Sequence, residues 1–139
     1  ITKDNIMDIL INYNFIIDAT DNFETKFLIN DACVSLKKPF SHGGVLGFEG
    51  QTFTYTPGNT CYRCIFKEPS PKKIMKDSSK NGILGSTPGL LGIIQATEAL
   101  KYITNCGELL INKLLVFDLR NMDFRTVKLK KDNKCKLCV

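Results

Sequence analysis

Two cysteine pairs constrain this chain more than any other feature: Cys61-Tyr62-Arg63-Cys64 and Cys135-Lys136-Leu137-Cys138. A pair at this spacing delivers two sulfurs from one tight turn, and two such CxxC knuckles complete the tetrahedral four-thiolate set of a structural zinc ion. The gap between the pairs is far longer than in a compact zinc ribbon. A fold in which they meet must bring a mid-chain loop back to the C-terminal segment, so the site would be a closed staple and not a catalytic centre. Disulfides are the other use of paired cysteines. The opening Ile-Thr-Lys-Asp-Asn lacks the basic-then-apolar layout of a secretory signal, and a mostly cytosolic composition favours metal, so a cytoplasmic setting is expected. Cys33 falls on a helical stretch and reads as a small buried apolar residue; no activating neighbour marks it as a catalytic thiol.

With 139 residues and 43% hydrophobic content, the chain is about one domain long and can bury a sizeable core. No apolar run reaches the ~18 residues of a membrane span. The net charge is +5, and much of the excess lies in Lys128, Lys130, Lys131, Lys134 and Lys136. A solvated strand end and loop account for these lysines. No recognition helix or aromatic-basic platform accompanies them, so no nucleic-acid partner is expected.

The run Phe15 to Ala19 is apolar and rich in β-branched residues, the signature of a buried strand. Thr20, Asp21 or Asn22 can then cap a helix over 22–37, with Phe23, Phe27, Leu28, Ala32 and Leu36 on or near one face. In an α/β sheet ligands bind at the carboxyl ends of the parallel strands. A carboxylate there, Asp21, either caps the helix or holds a hard Mg²⁺ ion on a nucleotide.

A short helix is expected over 4–11, strands at 40–45 and 51–55 joined through Gly47 and Gly50, a helix over 90–104, and strands at 114–119 and 125–129. Ile94, Ala96, Ala99, Leu100 and Ile103 would give the second long helix its buried side, with Gly85, Gly89 and Gly92 suggesting close backbone packing at its start. The stretch 67–82, rich in Lys, Pro and Ser, reads as a long surface loop of the kind that serves as a lid. The fold class is therefore α/β with a mixed sheet, parallel at its beginning and built of hairpins after it. Gly43-Gly44-Val45-Leu46-Gly47 precedes no helix, so a phosphate-cradling loop is not expected there. His42, the only histidine, reads as a hydrogen-bonded structural residue, and Asp118 as a turn former.

Several motifs occur in one order: Asp18-Ala-Thr-Asp21-Asn22, Gly50-Gln51, Cys61-Tyr-Arg-Cys64, Gly82-Ile-Leu-Gly85, Gly89-Leu-Leu-Gly92, Gln95-Ala-Thr-Glu98-Ala-Leu-Lys101 and Cys135-Lys-Leu-Cys138. As a set they resemble the ThiF/MoeB/HesA family, bacterial relatives of ubiquitin-activating enzymes, from Asn14 to Cys138. The resemblance implies an adenylyltransferase that uses Mg²⁺ and ATP to activate the Gly-Gly carboxyl terminus of a ubiquitin-like sulfur-carrier protein, for thiamin or molybdenum cofactor synthesis. It matches Asp21 to the Mg-ATP aspartate, Cys61, Cys64, Cys135 and Cys138 to the zinc ligands, and 67–82 to a crossover loop over the carrier's tail. It also implies a homodimer in the cytoplasm.

Against the family pattern, the Gly-rich nucleotide loop lies in a half that precedes the matched region. The single domain 1–139 is expected to be the C-terminal half of a Rossmann-like adenylyltransferase. The family usually has Arg where Lys26 stands; Lys keeps the charge that would join Asp21 and Asn22 in binding the cofactor, but loses the bidentate fork. Where some members carry a cysteine, Lys76-Asp77-Ser78-Ser79-Lys80 has none, so no thioester step through that loop is expected. The competing expectation is a non-catalytic, zinc-stabilised module that docks a ubiquitin-like or catalytic partner.

Overall fold

The computed structural model describes residues 1–67 and 82–138. The expected loop 67–82, apart from its two end residues, and the thiol-free stretch 76–80 lie outside the described residues. The elements run α1 (Ile6–Leu10), β1 (Ile16–Asp18), α2 (Phe23–Ser35), β2 (Phe40–Leu46), β3 (Glu49–Tyr55), α3 (Tyr62–Ile65), α4 (Ser86–Thr104), β4 (Lys113–Asp118) and β5 (Asp123–Lys128). The strands form one sheet in sequence order. β1 pairs parallel with β2, Asp18 lying opposite His42. Every later pairing is antiparallel. This is the expected mixed sheet.

Local chemistry explains the boundaries. Asn22, not Asp21, caps α2, its side chain accepting from Thr25 N at 2.8 Å. Lys37 ends that helix in the left-handed region (φ 53°), and Pro39 prevents its resumption. α4 begins at Ser86, earlier than expected, because Pro88 sits in the first turn, where its missing N–H costs nothing. It ends at Asn105, also left-handed (φ 51°). Asp118 makes the expected turn, its carboxylate accepting from Arg120 N at 2.9 Å.

Phe40, His42, Phe53 and Tyr55 line one face of the sheet, which α2 and α3 cover: the rings of His42 and Tyr62 are 4.7 Å apart, those of Phe27 and Tyr62 4.9 Å. α1 adds Ile6 and Leu10 to this core. α2 buries Lys26, Phe27, Ile29, Asn30, Ala32 and Cys33; the expected face was partly wrong, since Phe23 is 46% exposed.

The opposite face, with Ser41, Thr52 and Thr54, meets α4. Here the expected buried side holds only in part: Ile94 and Ala99 are half-buried, but Ala96, Leu100 and Ile103 are exposed. Thr87, Leu91, Gln95 and Glu98 face the sheet, while Leu100 and Ile103 are 61% and 66% exposed. The polar side faces inward because it has partners there: Thr54 Oγ1 and Leu110 N both donate to the Glu98 carboxylate, at 2.5 and 2.8 Å. The close backbone packing expected at Gly85, Gly89 and Gly92 is absent among the described residues. It occurs instead at Gly43, where an added Cβ would meet the Gln95 amide at 2.7 Å, and at Gly50, where it would meet the Phe117 ring at 2.1 Å.

Candidate functional site

The four paired cysteines converge. Their Sγ atoms all lie within 4.8 Å of one another, with Cys61 3.8 Å from Cys64 and 3.7 Å from Cys135, and Cys64 3.3 Å from Cys138. Sulfurs at ~2.3 Å from one tetrahedral ion stand about 3.8 Å apart, so the separations suit a thiolate-bound metal. Cys61 stands at the N-cap of a single helical turn, α3, and Cys64 lies within it. That turn is held from two sides. The Asn30 side chain accepts from Tyr62 N at 2.8 Å, and Arg63 forks onto Asp31 at 2.7 and 2.8 Å. Asn112 accepts from Thr60 N at 3.0 Å and so ties the turn to the start of β4. Burial pushes the Cys61 thiol up and that of Cys138 up to about 11. Cys135 is also penalised by burial, but the N–H groups of Leu137 and Cys138 draw it down to about 7. A cation among the sulfurs would offset the charge that burial penalises. Cys33 is apart from this group, fully buried, its thiol pushed up to about 12 by burial, as suits a packing residue.

The second cluster lies at the carboxyl end of β1. Asp18 is 1% exposed, and its two oxygens are occupied differently. Oδ1 accepts from Thr20 N at 3.0 Å and Thr20 Oγ1 at 2.7 Å. Oδ2 accepts from His42 Nδ1 at 3.1 Å and Lys26 Nζ at 3.3 Å, and the same ammonium also reaches Oδ1 at 3.5 Å. Burial opposes ionisation of Asp18, yet the His42 bond and the Lys26 charge hold its carboxyl below the usual carboxylate value. Burial also lowers His42, leaving it neutral with Nδ1–H donating to Asp18. His42 is therefore bonded as expected at one nitrogen only, for Nε2 has no partner among the described residues. The Gln95 amide spans two strand ends, donating to the main-chain oxygens of Asp18 (2.9 Å) and Ser41 (3.1 Å).

The three residues expected at a nucleotide fare differently. Asp21 is exposed, and among the described residues its carboxylate takes only a long 3.3 Å bond from Asn22 Nδ2. With the cap supplied by Asn22, the Asp21 oxygens stay available to a hard cation. The Asn22 carbonyl is committed to the helix N-terminus. Lys26 is 7% exposed and turned inward, its ammonium on the Gly43 carbonyl at 2.5 Å and on Asp18, with burial lowering its pKa. Sequence reasoning placed Lys26 at the cofactor and passed over Asp18. The signal available was the pairing of an aspartate at a strand end with a lysine in the first turn of the next helix, which only the structure shows to be a contact.

The ThiF family model matches residues 1–137. The SAMP-activating enzyme E1 of Haloferax volcanii is 38% identical over 138 residues, covering 99% of this chain and 51% of that protein. The adenylyltransferase and sulfurtransferase MOCS3 of Aedes aegypti is 41% identical over 140 residues, covering 99% of this chain and 32% of that protein. The chain thus spans between about a third and a half of the length of these relatives. Among solved structures, the microcin C7 biosynthetic enzyme MccB in complex with N-formylated MccA matches with a TM-score of 0.83 at 16% identity, over 99% of this chain and 44% of that one. E. coli MccB with ATP matches with a TM-score of 0.77 at 20% identity, over 91% and 39%. At such identities the likeness is one of fold.

Proposed function

Because this chain belongs to the ThiF family, we propose that it forms the C-terminal part of an ATP-dependent adenylyltransferase acting on a ubiquitin-like sulfur carrier. The observation that carries the reading is the Asp21 carboxylate, exposed just beyond the parallel strand β1 and released from capping duty by Asn22. The names of the relatives, a SAMP-activating E1 and MOCS3 adenylyltransferases, support the reaction class.

In that reaction the carboxylate of a Gly-Gly terminus attacks the α-phosphorus of ATP. The α–β anhydride bond breaks, pyrophosphate departs with the electron pair, and an acyl-adenylate remains. Asp21 would hold Mg²⁺, which when bound neutralises phosphate charge. The chain's own contribution is otherwise positioning and fixed charge. We assign Lys26 to the support of Asp18 and not to a phosphate, since its ammonium is spent inside the protein. The four-cysteine cluster would hold structural Zn²⁺ and tie the end of the chain to α3. The outward apolar side of α4 supports assembly as a homodimer, as the family resemblance implies.

The test is ATP–pyrophosphate exchange by the full-length protein with a Gly-Gly-ended carrier. Asp21→Asn is expected to lower exchange by about 100-fold or more. Undiminished exchange in that variant would refute the role of Asp21.

A further inference from the structure

Asp21 extends from an exposed turn, yet an acceptor for a divalent ion must be held in place to be useful. Among the described residues, the Asp21 side chain has no firm partner of its own. Beside the Asn22 cap, the turn is tied back by one buried carboxylate three residues before Asp21. Asp18 Oδ1 takes both the N–H and the hydroxyl of Thr20, the residue immediately before Asp21. Asp18 Oδ2 takes the two inward donors, His42 from β2 and Lys26 from α2. Its main-chain oxygen takes Gln95 from α4. Elements on both faces of the sheet thus meet on a single residue.

We propose that Asp18 is the positioning residue of the metal edge, gripping Thr20 through Oδ1 while His42 on Oδ2 and Lys26 against both oxygens hold the carboxylate, so that Asp21 is delivered in one orientation. The inference rests on the reading of Asp21 given above and deepens it. The division of labour between the two oxygens has a physical basis. An ionised carboxylate offers about four lone-pair sites and is acceptor-only. Three donors within 3.1 Å and the longer Lys26 contact at 3.3 Å oppose its rotation. Three of these four are anchored in a helix or strand or through a main-chain N–H, so the Thr20 hydroxyl is the donor whose removal loosens the turn without opening the core.

Thr20→Val removes that hydroxyl and keeps the main-chain bond, whereas Thr20→Ser keeps both. Two measurements on the full-length protein decide the matter. The first is amide hydrogen exchange over residues 19–22, which requires no activity. The second is the Mg²⁺ concentration that half-saturates ATP–pyrophosphate exchange. Thr20→Val is expected to speed exchange in the turn and to raise the Mg²⁺ midpoint about fivefold, the share of a single hydrogen bond. The melting temperature and the rate at saturating Mg²⁺ should stay near wild type, and Thr20→Ser should restore both readouts. A turn in Thr20→Val as protected as in wild type would overturn the proposal, as would a serine variant as impaired as the valine. If Asp21→Asn left nucleotide chemistry intact, the role of Asp21 would fall, while the hydrogen-exchange comparison would still decide whether Asp18 holds the turn.

Discussion

The side-chain amide of Gln95 fills the space that a Cβ on Gly43 would need, 2.7 Å from that position. Only a glycine lets the amide reach both Asp18 O and Ser41 O, and so only a glycine lets α4 join the ends of β1 and β2.

Gly43→Ala should therefore displace a buried, doubly bonded amide and not merely crowd a flexible chain end. A loss of about 1–3 kcal/mol in urea unfolding is expected. Gly50→Ala should cost at least as much, since the added methyl would fall 2.1 Å from the ring of Phe117, a residue 1% exposed. Wild-type stability in either variant would contradict this account of α4 and β3 packing.

Lys26→Met removes the ammonium and leaves Asp18 ionised and buried with one donor fewer. The expected cost is about 3–5 kcal/mol, the usual penalty for stranding one member of a buried ion pair. A double variant, Asp18→Asn with Lys26→Met, should recover part of it. Equilibrium denaturation of the single and double variants reads the coupling directly.

His42 has a folded-state pKa below its ordinary 6.5, with Asp18 and Lys26 as the charged groups facing it. The unfolded chain then binds the extra proton more readily than the folded one. Its stabilising contribution is complete above about pH 6.5 and is lost as pH falls through the folded value. Asp18, lowered from 3.8, adds a second loss at still lower pH. Melting temperature should fall as pH is taken from about 7 to about 5, and the fall should be shallower in His42→Gln. Any metal released from the cysteines on acidification would be lost from both proteins alike, so parallel curves would exclude His42 as the titrating group.

Native protein is expected to carry one zinc ion per chain by elemental analysis, with Cys64→Ser and Cys138→Ser reducing it. Chelation should raise hydrogen exchange most in α3 and residues 129–138, with little change at 16–18, because the sulfurs tie the former and not the latter. Equal loss of protection in both regions would argue against a local staple.

The cysteine set was legible because ligand chemistry imposes a spacing that survives in one dimension. The strand–helix unit around Asp18 and the hairpins were legible for a similar reason, since β-branched runs, glycine turns and Pro39 act on near neighbours. α4 misled because periodicity assumes that the apolar side of a helix is the buried one. Gln95 and Glu98 turn inward to reach strand ends and Thr54, between 44 and 77 residues away in sequence. Asp18 escaped notice for the same cause: its partners Lys26 and His42 stand 8 and 24 residues on, and nothing local marks their convergence.

The cysteine cluster also dictates an order of assembly. Cys61 and Cys135 are 74 residues apart, and Cys135 follows β5, the last strand of the sheet. On a ribosome adding about 5–20 residues per second, the first pair of thiols waits roughly 4–15 s for the second. All five strands of the described sheet are synthesised before the four sulfurs can meet. A metal held by the four sulfurs would therefore act as a clasp on a sheet already made, and the strands must find their register without its help.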